Sequence, residues 1–269
     1  MVKKVLAKSY IILILLLLYA PILVLIIFSF TESTNIGTWS GFSFGLYKDI
    51  FKNEEIVEAL KNTFVIAFAA SIVSTILGTV GAIGVFYSKR FVKHTVGAVS
   101  QIPVINAEIV TALSLTVMFV ALGIKFNFLT LLIGHIVLTI PFVLLSITPK
   151  LKQMDPNMYE AALDLGATPR KALWTVVVPA IMPGIITGFL LSITLSLDDY
   201  IVTAFTRNNS FSTLSTFVYG ATAKRGALPA TLRALTTVIT LFVLVVLIVI
   251  NVMSKKKDNK KGKNNEKNI

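Results

Sequence analysis

The sequence predicts an all-α protein that crosses a membrane with six transmembrane helices. Of its 269 residues, 55% are hydrophobic and only 14% are charged, whereas a soluble domain carries about 25% charged residues. The mean hydropathy is +0.82, and apolar runs long enough to span a bilayer, roughly 20 residues each, recur along the chain. These observations exclude an ordinary soluble enzyme, and also a disordered chain, which needs low hydrophobicity and high charge.

Six apolar segments are the predicted spans. Lys3, Lys4 and Lys8 precede the first one, but its apolar run exceeds the roughly 7–15 residues of a signal peptide, so we interpret it as an uncleaved span. The segments between these spans are too short to form a separate domain, which predicts one transmembrane domain over 1–253. The third span contains polar interruptions. The predicted spans are 10–30, 63–87, 96–124, 128–147, 184–205 and 235–253.

The basic residues predict the orientation of the chain. The N-terminus, the second and fourth loops and the tail hold 17 of the 25 Lys and Arg residues. Because basic residues accumulate on the cytoplasmic side, both termini are expected there. The Lys- and Asn-rich tail, 254–269, is predicted to be disordered and drawn to anionic lipid headgroups. The net charge of +12 comes in short blocks between apolar runs, so no nucleic-acid partner is expected.

Several kinds of chemistry are absent from the sequence. It has no G-x-x-x-x-G-K-[ST] phosphate loop, no H-E-x-x-H or G-x-S-x-G motif and no cysteine. We therefore predict no catalytic residue, metal site or cofactor in this chain. His94 is expected to be solvated. For His135, inside the fourth span, hydrogen bonding between helices is favoured over a functional ionised state.

The loop 150–183 is predicted to carry a helix, a turn and a second helix on the cytoplasmic side. The first helix presents a narrow apolar stripe of Met158, Ala161, Ala162 and Leu165, which favours either a partner or packing on the chain's own spans. The signals are the N-cap pair Asp155-Pro156, the helix stop Gly166, the second N-cap pair Thr168-Pro169, and Pro179 and Pro183, expected to break the chain before the fifth span.

Three carboxylates fall inside predicted spans. Counting about 1.5 Å per residue, Glu108 lies near the membrane midplane and Asp198 and Asp199 lie in the outer half. Such groups are costly in a membrane and must face a cavity, a partner or each other. The interiors of spans three to five hold no Lys or Arg, so the partner is a basic residue of another subunit, a proton or a cationic substrate. A polyamine meets this need, and anions would be repelled.

The fifth span carries a polar stripe beside these carboxylates. In a continuous helix, four polar residues would share one face, which favours a lining role; hydrogen bonds of the hydroxyls to their own helix are the alternative. The four are Ser192, Ser196, Asp199 and Thr203.

The cytoplasmic loop resembles the EAA loop of ABC importer permeases. Glu160-Ala161-Ala162, Gly166 after three residues and Pro179 at the end match the pattern E-A-A-x₃-G-x₉-I-x-L-P, with Val176 and Val178 as mild departures. The resemblance implies a type I ABC importer permease fold. It also implies that the motif contacts separate ATPase subunits, which bind ATP and Mg²⁺ in place of this chain. The implied contact residues are Glu160, Ala161, Ala162 and Gly166.

Most of the chain, from about 39 to 250, resembles the second permease subunit of spermidine/putrescine importers. The matching stretches begin at Glu108, Ser114, Gly134, Pro141 and Leu195. Glu108 stands where that family usually has Asp, which keeps the charge and lengthens the reach by one methylene. The resemblance implies that Tyr47, in the outer loop, meets the substrate or its binding protein. The implied path residues are Glu108, Ser196, Asp198 and Asp199.

The resemblance implies a permease subunit in the cytoplasmic membrane of a prokaryote. Its expected partners are ABC ATPase subunits, a second permease in a heterodimer, an extracytoplasmic polyamine-binding protein and membrane lipid. Three alternatives stay open. The first is the same machine with another solute, such as iron, thiamine or an organic cation. The second is a cation- or proton-coupled secondary transporter, and the third is a membrane anchor or assembly protein.

Overall fold

The computed structural model describes residues 2–33, 38–155, 157–225, 230–241 and 244, without the side chains of 2–7, 224 and 225. The described residues divide into two compact units. The first comes from Met1–Val57 and Val218–Ile269, and the second is Glu58–Phe217. The predicted disorder of the tail, 254–269, lies outside the described residues.

The described residues are helical, with a single antiparallel bridge, from Thr31 to Phe42, and no strand. This confirms the all-α prediction. The helices are α1 (Val2–Phe28), α2 (Gly45–Lys52), α3 (Glu54–Tyr87), α4 (Arg90–Val99), α5 (Ile102–Ile105), α6 (Glu108–Ala121), α7 (Phe128–Gln153), α8 (Asn157–Asp164), α9 (Pro169–Ala172), α10 (Val178–Asp198), α11 (Ile201–Thr206), α12 (Leu214–Arg225) and α13 (Ala230–Leu241).

Most of the predicted spans coincide with long apolar helices. Among the described residues, four helices are long and apolar enough to cross a membrane, and a bent pair makes a fifth candidate. The first, second and fourth predicted spans fall on α1, α3 and α7. The sixth, 235–253, is described only over 235–241 and at 244, where α13 supports its beginning. The prediction of six spans is therefore confirmed in kind, and the full count stays a prediction.

The third span differs from the prediction of one helix over 96–124. The segments Arg90–Ile105 and Glu108–Ala121 meet at an angle of 106°. Asn106 and Ala107 between them are extended, with ψ of 148° and 135°. Asn favours non-helical backbone because its side chain competes for backbone hydrogen bonds. The depth estimate for Glu108 assumed a straight helix and was wrong in that assumption, since Glu108 is the first residue of α6.

The fifth span also differs from its predicted bounds. A continuous helical segment runs over Pro169–Asp198, with a π-helical turn at Leu173–Val177. Pro179 and Pro183 therefore do not break the chain, contrary to the prediction. Pro179 is the second residue of α10 and directly follows the π turn. The helix ends at Asp198, well before the predicted residue 205.

Within the second unit, α7 and α10 approach closely at two glycines. A Cβ added at Gly184 would lie 2.9 Å from the backbone oxygen of Ser146, and one added at Gly188 would lie 3.2 Å from the Cα of Val143. Such small residues one turn apart let membrane helices pack backbone to backbone. Buried Val143 and Ile147 of α7 form the adjoining apolar core with Ile181 of α10.

Gly184→Ala is expected to lower the melting temperature of the purified protein, because the added methyl overlaps a backbone oxygen that cannot rotate away. Overpacking of this kind costs about 1–3 kcal/mol. Gly97→Ala is the matched control, since an added Cβ at Gly97 on α4 meets nothing within 4 Å. It should leave the melting temperature unchanged or slightly higher, because Ala favours helix over Gly. Equal melting temperatures for the two variants would contradict this packing.

A buried arginine organises the first unit. Arg233 of α13 has no exposed surface, and its guanidinium donates to the backbone oxygens of Phe28 at 3.3 Å and Ser33 at 2.9 Å. The end of α1 leaves backbone carbonyls without helical partners, and Arg233 satisfies one of them. The sequence alone gives Arg233 no role beyond that of a basic residue outside the membrane.

Candidate functional site

Two exposed carboxylates lie at the ends of interrupted helices in the second unit. Glu108 is the first residue of α6 and Asp198 is the last of α10. Both side chains are exposed, and Glu108 lies close enough to Asp199 and Asp198 for their charges to act on it. We call Glu108 and Asp198 the acidic pair. The structure thus brings together the carboxylates that the sequence places 90 residues apart.

Packing between α6 and α11 brings the acidic pair together. Ala112 of α6, Leu138 of α7 and Val202 of α11 form a buried apolar cluster. The hydroxyl of Thr116 on α6 donates to the backbone oxygen of Phe205 on α11 at 3.0 Å. Because α11 follows α10 after only two residues, anchoring α11 to α6 brings the end of α10 close to the beginning of α6.

Asp199 differs sharply from its neighbour Asp198. Only 1% of its side chain is exposed. Its carboxylate accepts hydrogen bonds from the backbone N–H groups of Val202 at 3.1 Å and Thr203 at 2.7 Å, and from the Thr203 hydroxyl at 2.8 Å. A carboxylate so placed accepts hydrogen bonds from the unpaired N–H groups at the start of α11, and the positive end of the helix dipole stabilises its charge. Asp199 therefore caps α11 in this structure.

His135 and Ser196 are buried beside Asp199. The Nδ1 atom of His135 lies 2.7 Å from the Ser196 hydroxyl oxygen, and Nε2 lies 2.9 Å from that of Thr203. The interpretation of His135 as hydrogen-bonded between helices is confirmed. Nε2 also lies 3.6 Å from a carboxylate oxygen of Asp199.

The polar stripe of the fifth span is not one face of one helix. α10 ends at Asp198, and Asp199 and Tyr200 separate it from α11, so the predicted alignment of Ser192, Ser196, Asp199 and Thr203 on a continuous helix is wrong. All four are nevertheless buried. Ser196 and Asp199 thus point into the packing, while Asp198 is exposed at the end of α10.

Tyr47 lies on α2, in the first unit, and is held by its own loop. Its hydroxyl is 2.7 Å from that of Ser29, and its ring packs 5.3 Å from the ring of Phe30. Phe42 and Phe44 extend this aromatic cluster. Tyr47 is half-buried, so part of its ring stays accessible.

The first predicted helix of the loop 150–183 and its turn are present as α8 and Gly166, whereas the second, α9, is the beginning of the continuous segment Pro169–Asp198 and not a separate helix. Gly166 ends α8 with φ of +81°, a left-handed conformation that favours glycine. Gly166 N–H donates to the Leu163 oxygen at 2.9 Å and Ala167 N–H to the Ala162 oxygen at 3.0 Å. These two bonds form a Schellman cap. The Thr168 hydroxyl accepts from Lys171 N–H at 3.4 Å and begins α9.

One side of α8 packs on the chain and the other is left open. Tyr159 packs against the apolar core of α7 and α10 and lies 5.2 Å from the ring of Tyr87. Met158 is 46% exposed and Leu165 is 90% exposed, so the apolar stripe does not pack on the chain's own spans. Ala162 is half-buried. The exposed surface, which we call the coupling surface, comprises Met158, Glu160, Ala161 and Leu165.

Two solved structures of bacterial ABC transporters are similar to this chain. A bacterial ABC transporter involved in the import of the acidic polysaccharide alginate matches with a TM-score of 0.69 and 15% identity, over 94% of this chain and 96% of that one. The bacterial alginate transporter in complex with a pentasaccharide-bound periplasmic protein matches with a TM-score of 0.68 and 18% identity, over 94% and 92%. At these identities the likeness shows the fold.

Curated relatives are similar at higher identity. The spermidine/putrescine transport system permease protein PotC of Haemophilus influenzae is 33% identical over 222 residues, 82% of this chain and 86% of that protein. The putrescine transport system permease protein PotI of Escherichia coli is 34% identical over 230 residues, 82% and 81%. The family model of the binding-protein-dependent transport system inner membrane component matches residues 1–260. The chain therefore belongs to this family of inner-membrane components of binding-protein-dependent transport systems.

Proposed function

We propose that this chain is a permease subunit of an ATP-driven importer that takes up spermidine, putrescine or both, and that it forms the path with a second, related permease. The relatives named above are permeases of polyamine transport systems. The exposed acidic pair gives the proposal a physical basis in this chain. The chain itself does no covalent chemistry in this account, and ATP and Mg²⁺ are bound by a separate ATPase.

The acidic pair carries the proposal. Among the residues that the structure describes, neither Glu108 nor Asp198 forms a salt bridge with Lys or Arg. Two repelling carboxylates within a membrane protein are costly unless a cation compensates them. A polyamine carries well-spaced ammonium groups at neutral pH, so it offsets the repulsion and recovers part of its own desolvation cost. Anions would meet repulsion at the same place.

The buried polar residues support the acidic pair in this proposal. Ser196 and Asp199 are buried. We therefore propose that they shape the path indirectly, by holding the break between α10 and α11, and do not contact the solute. Tyr47, with its ring partly accessible, is proposed to meet the solute or the extracytoplasmic binding protein. Of the three carboxylates inside the predicted spans, Glu108 and Asp198 are exposed and available for direct contact with the solute, and Asp199 is buried.

The coupling surface is the proposed contact for the ATPase subunits. It is exposed, apolar at Met158 and Leu165 and acidic at Glu160, and a cap holds its helix firmly at Gly166. ATP binding would close the two ATPase subunits, and α8 would transmit that motion to α7 and α10, on which it packs. Both termini are proposed to lie in the cytoplasm, in agreement with the distribution of basic residues.

Transport by the reconstituted complex tests this function. Proteoliposomes containing this chain, its partner permease and its ATPase, with the binding protein outside and ATP inside, are expected to accumulate labelled spermidine. Excess putrescine should compete and excess sulfate should not. Accumulation without ATP would instead support a secondary transporter. ATP hydrolysis and complete assembly without polyamine uptake would retain the permease and reject the substrate.

A further inference from the structure

His135 bridges the two sides of the break between α10 and α11. It comes from α7 and is fully buried. Its Nδ1 contacts Ser196 in the last turn of α10, and its Nε2 contacts Thr203 in α11, at 2.7 and 2.9 Å. One rigid imidazole therefore contacts the helix that ends with Asp198 and the helix that Asp199 caps.

The hydrogen bonds of this bridge run in one direction. An ionised carboxylate only accepts hydrogen bonds, so the Thr203 hydroxyl donates to Asp199 at 2.8 Å. The oxygen of that hydroxyl then accepts from Nε2–H of His135. A neutral imidazole has one donor and one acceptor nitrogen, so Nδ1 accepts from the Ser196 hydroxyl. Each group donates to the next, from Ser196 through His135 and Thr203 to the negative charge of Asp199.

This chain of hydrogen bonds fixes the backbone at the break. Asp199 has an extended backbone, with φ of −65° and ψ of 125°. Its backbone oxygen accepts a hydrogen bond from the Ser215 hydroxyl at 2.6 Å. The extended residue turns Asp198 and Asp199 in different directions, so that one is exposed and the other buried. Loss of the bridge would let the end of α10 move, and the Asp198 side chain would no longer be held in one direction.

We propose that His135 is a positioning residue of the transport path: by linking Ser196 of α10 to Thr203 of α11, it holds Asp198 beside Glu108. This inference rests on the proposed function for its effect on transport, but the placement of residue 198 can be measured without any substrate. His135 itself touches no solute in this account. It acts through the break that it bridges.

The first experiment measures the placement directly. The chain has no cysteine, so an Asp198→Cys variant of the assembled complex carries in this chain a single thiol, whose rate of reaction with a cationic methanethiosulfonate reports its accessibility. Adding His135→Asn should change that rate about tenfold, the factor that one lost buried hydrogen bond is worth. Asn carries its donor and acceptor on one carbon, and cannot reach both helices as the ring does.

Controls make this result specific. Lys125→Cys, exposed between α6 and α7, should react at the same rate with or without His135→Asn. Thr139→Val, one turn from His135 on the same helix, removes a buried interhelical hydrogen bond of 2.7 Å to Ser74 and a bond of 2.7 Å to the backbone oxygen of His135, but it leaves both contacts of the imidazole in place. It should therefore leave the reactivity at position 198 unchanged. An unchanged rate with His135→Asn, or an equal change with Thr139→Val, would overturn the proposal and leave His135 a packing residue.

The second experiment measures spermidine uptake by the reconstituted complex. His135→Asn is expected to raise KM about tenfold with normal assembly and basal ATPase activity, whereas Thr139→Val should not change KM. Ser196→Ala should raise KM too, and its combination with His135→Asn should add little, because both remove the same bond. Additive effects would overturn the bridge. Absence of uptake by the unsubstituted complex would reject the proposed function, and the thiol rates would still decide the role of His135.

Discussion

Asp198→Asn is expected to lower the ratio of Vmax to KM for spermidine uptake about tenfold or more, while the complex assembles normally. The substitution removes one of the two negative charges of the acidic pair and changes almost nothing in shape. A hydrogen bond to a charged partner is worth about 1.5–3 kcal/mol, and roughly 1.4 kcal/mol corresponds to tenfold. Glu108→Gln is expected to act in the same direction, and Glu108→Asp to retain most of the uptake. Labelled uptake over a range of spermidine concentrations measures each effect.

The neighbouring substitution Asp199→Asn is the matched control for Asp198→Asn. It removes the same charge one residue further along, but from a buried carboxylate that accepts three hydrogen bonds from α11. Because loss of such a cap costs about 0.5–2 kcal/mol, Asp199→Asn should lower the melting temperature, which Asp198→Asn should not. Unchanged uptake with Asp198→Asn would remove the acidic pair from the path.

Gly166→Val is expected to abolish the stimulation of ATP hydrolysis by the loaded binding protein. The left-handed backbone at Gly166, φ +81°, costs a side-chain-bearing residue about 1–2 kcal/mol, and a β-branched residue tolerates it least. The Schellman cap would open and change the direction of the coupling surface. Gly166→Asn should keep most of the coupling, since Asn tolerates this conformation. ATPase activity with and without the loaded binding protein, in proteoliposomes, measures the effect.

Gly123 provides a matched control for the coupling prediction. It ends α6 with φ of +68°, and Gly123 N–H and Ile124 N–H make the same two cap bonds. An added Cβ at either glycine meets nothing within 4 Å, so both valine substitutions strain only the backbone. Gly123→Val should destabilise the protein by a similar amount but leave the ATPase stimulated in the complex that assembles. Equal loss of stimulation in both variants would contradict the special role of α8.

Hydropathy predicted the spans because a bilayer demands long apolar helices, and that demand acts on each segment separately. The interruptions were harder to predict. Asn106 lay among the polar interruptions of the third segment, but it was interpreted as part of a continuous helix. Asp199 lies just before α11 and could have indicated the start of a new helix. Because Asp198 is also an aspartate, the sequence did not show at which of the two α10 ends. Pro179 and Pro183 gave a strong breaking signal, yet the helical segment continues past both. Pro179 directly follows the π turn, and Pro183 lies inside α10.

The exposure of Asp198 and the burial of Asp199 could not be predicted from local sequence. Burial of Asp199 depends on His135 and Thr203, and His135 lies more than 60 residues away in the sequence. The same holds for Arg233, whose partner Phe28 is 205 residues distant. The α8 cap, in contrast, depends on residues within one turn, and the sequence signals for Gly166 and Thr168 were sufficient to predict it.

The most direct test of the central claim is uptake of labelled spermidine by cells that lack their own polyamine importers. The cells would express this chain with the permease, ATPase and binding protein of its own system, and the matched control would omit this chain alone. We expect uptake that requires both this chain and an ATPase able to hydrolyse ATP. Uptake that persists without this chain or without hydrolysis, or no spermidine uptake by a complete and hydrolysing complex, would contradict the account.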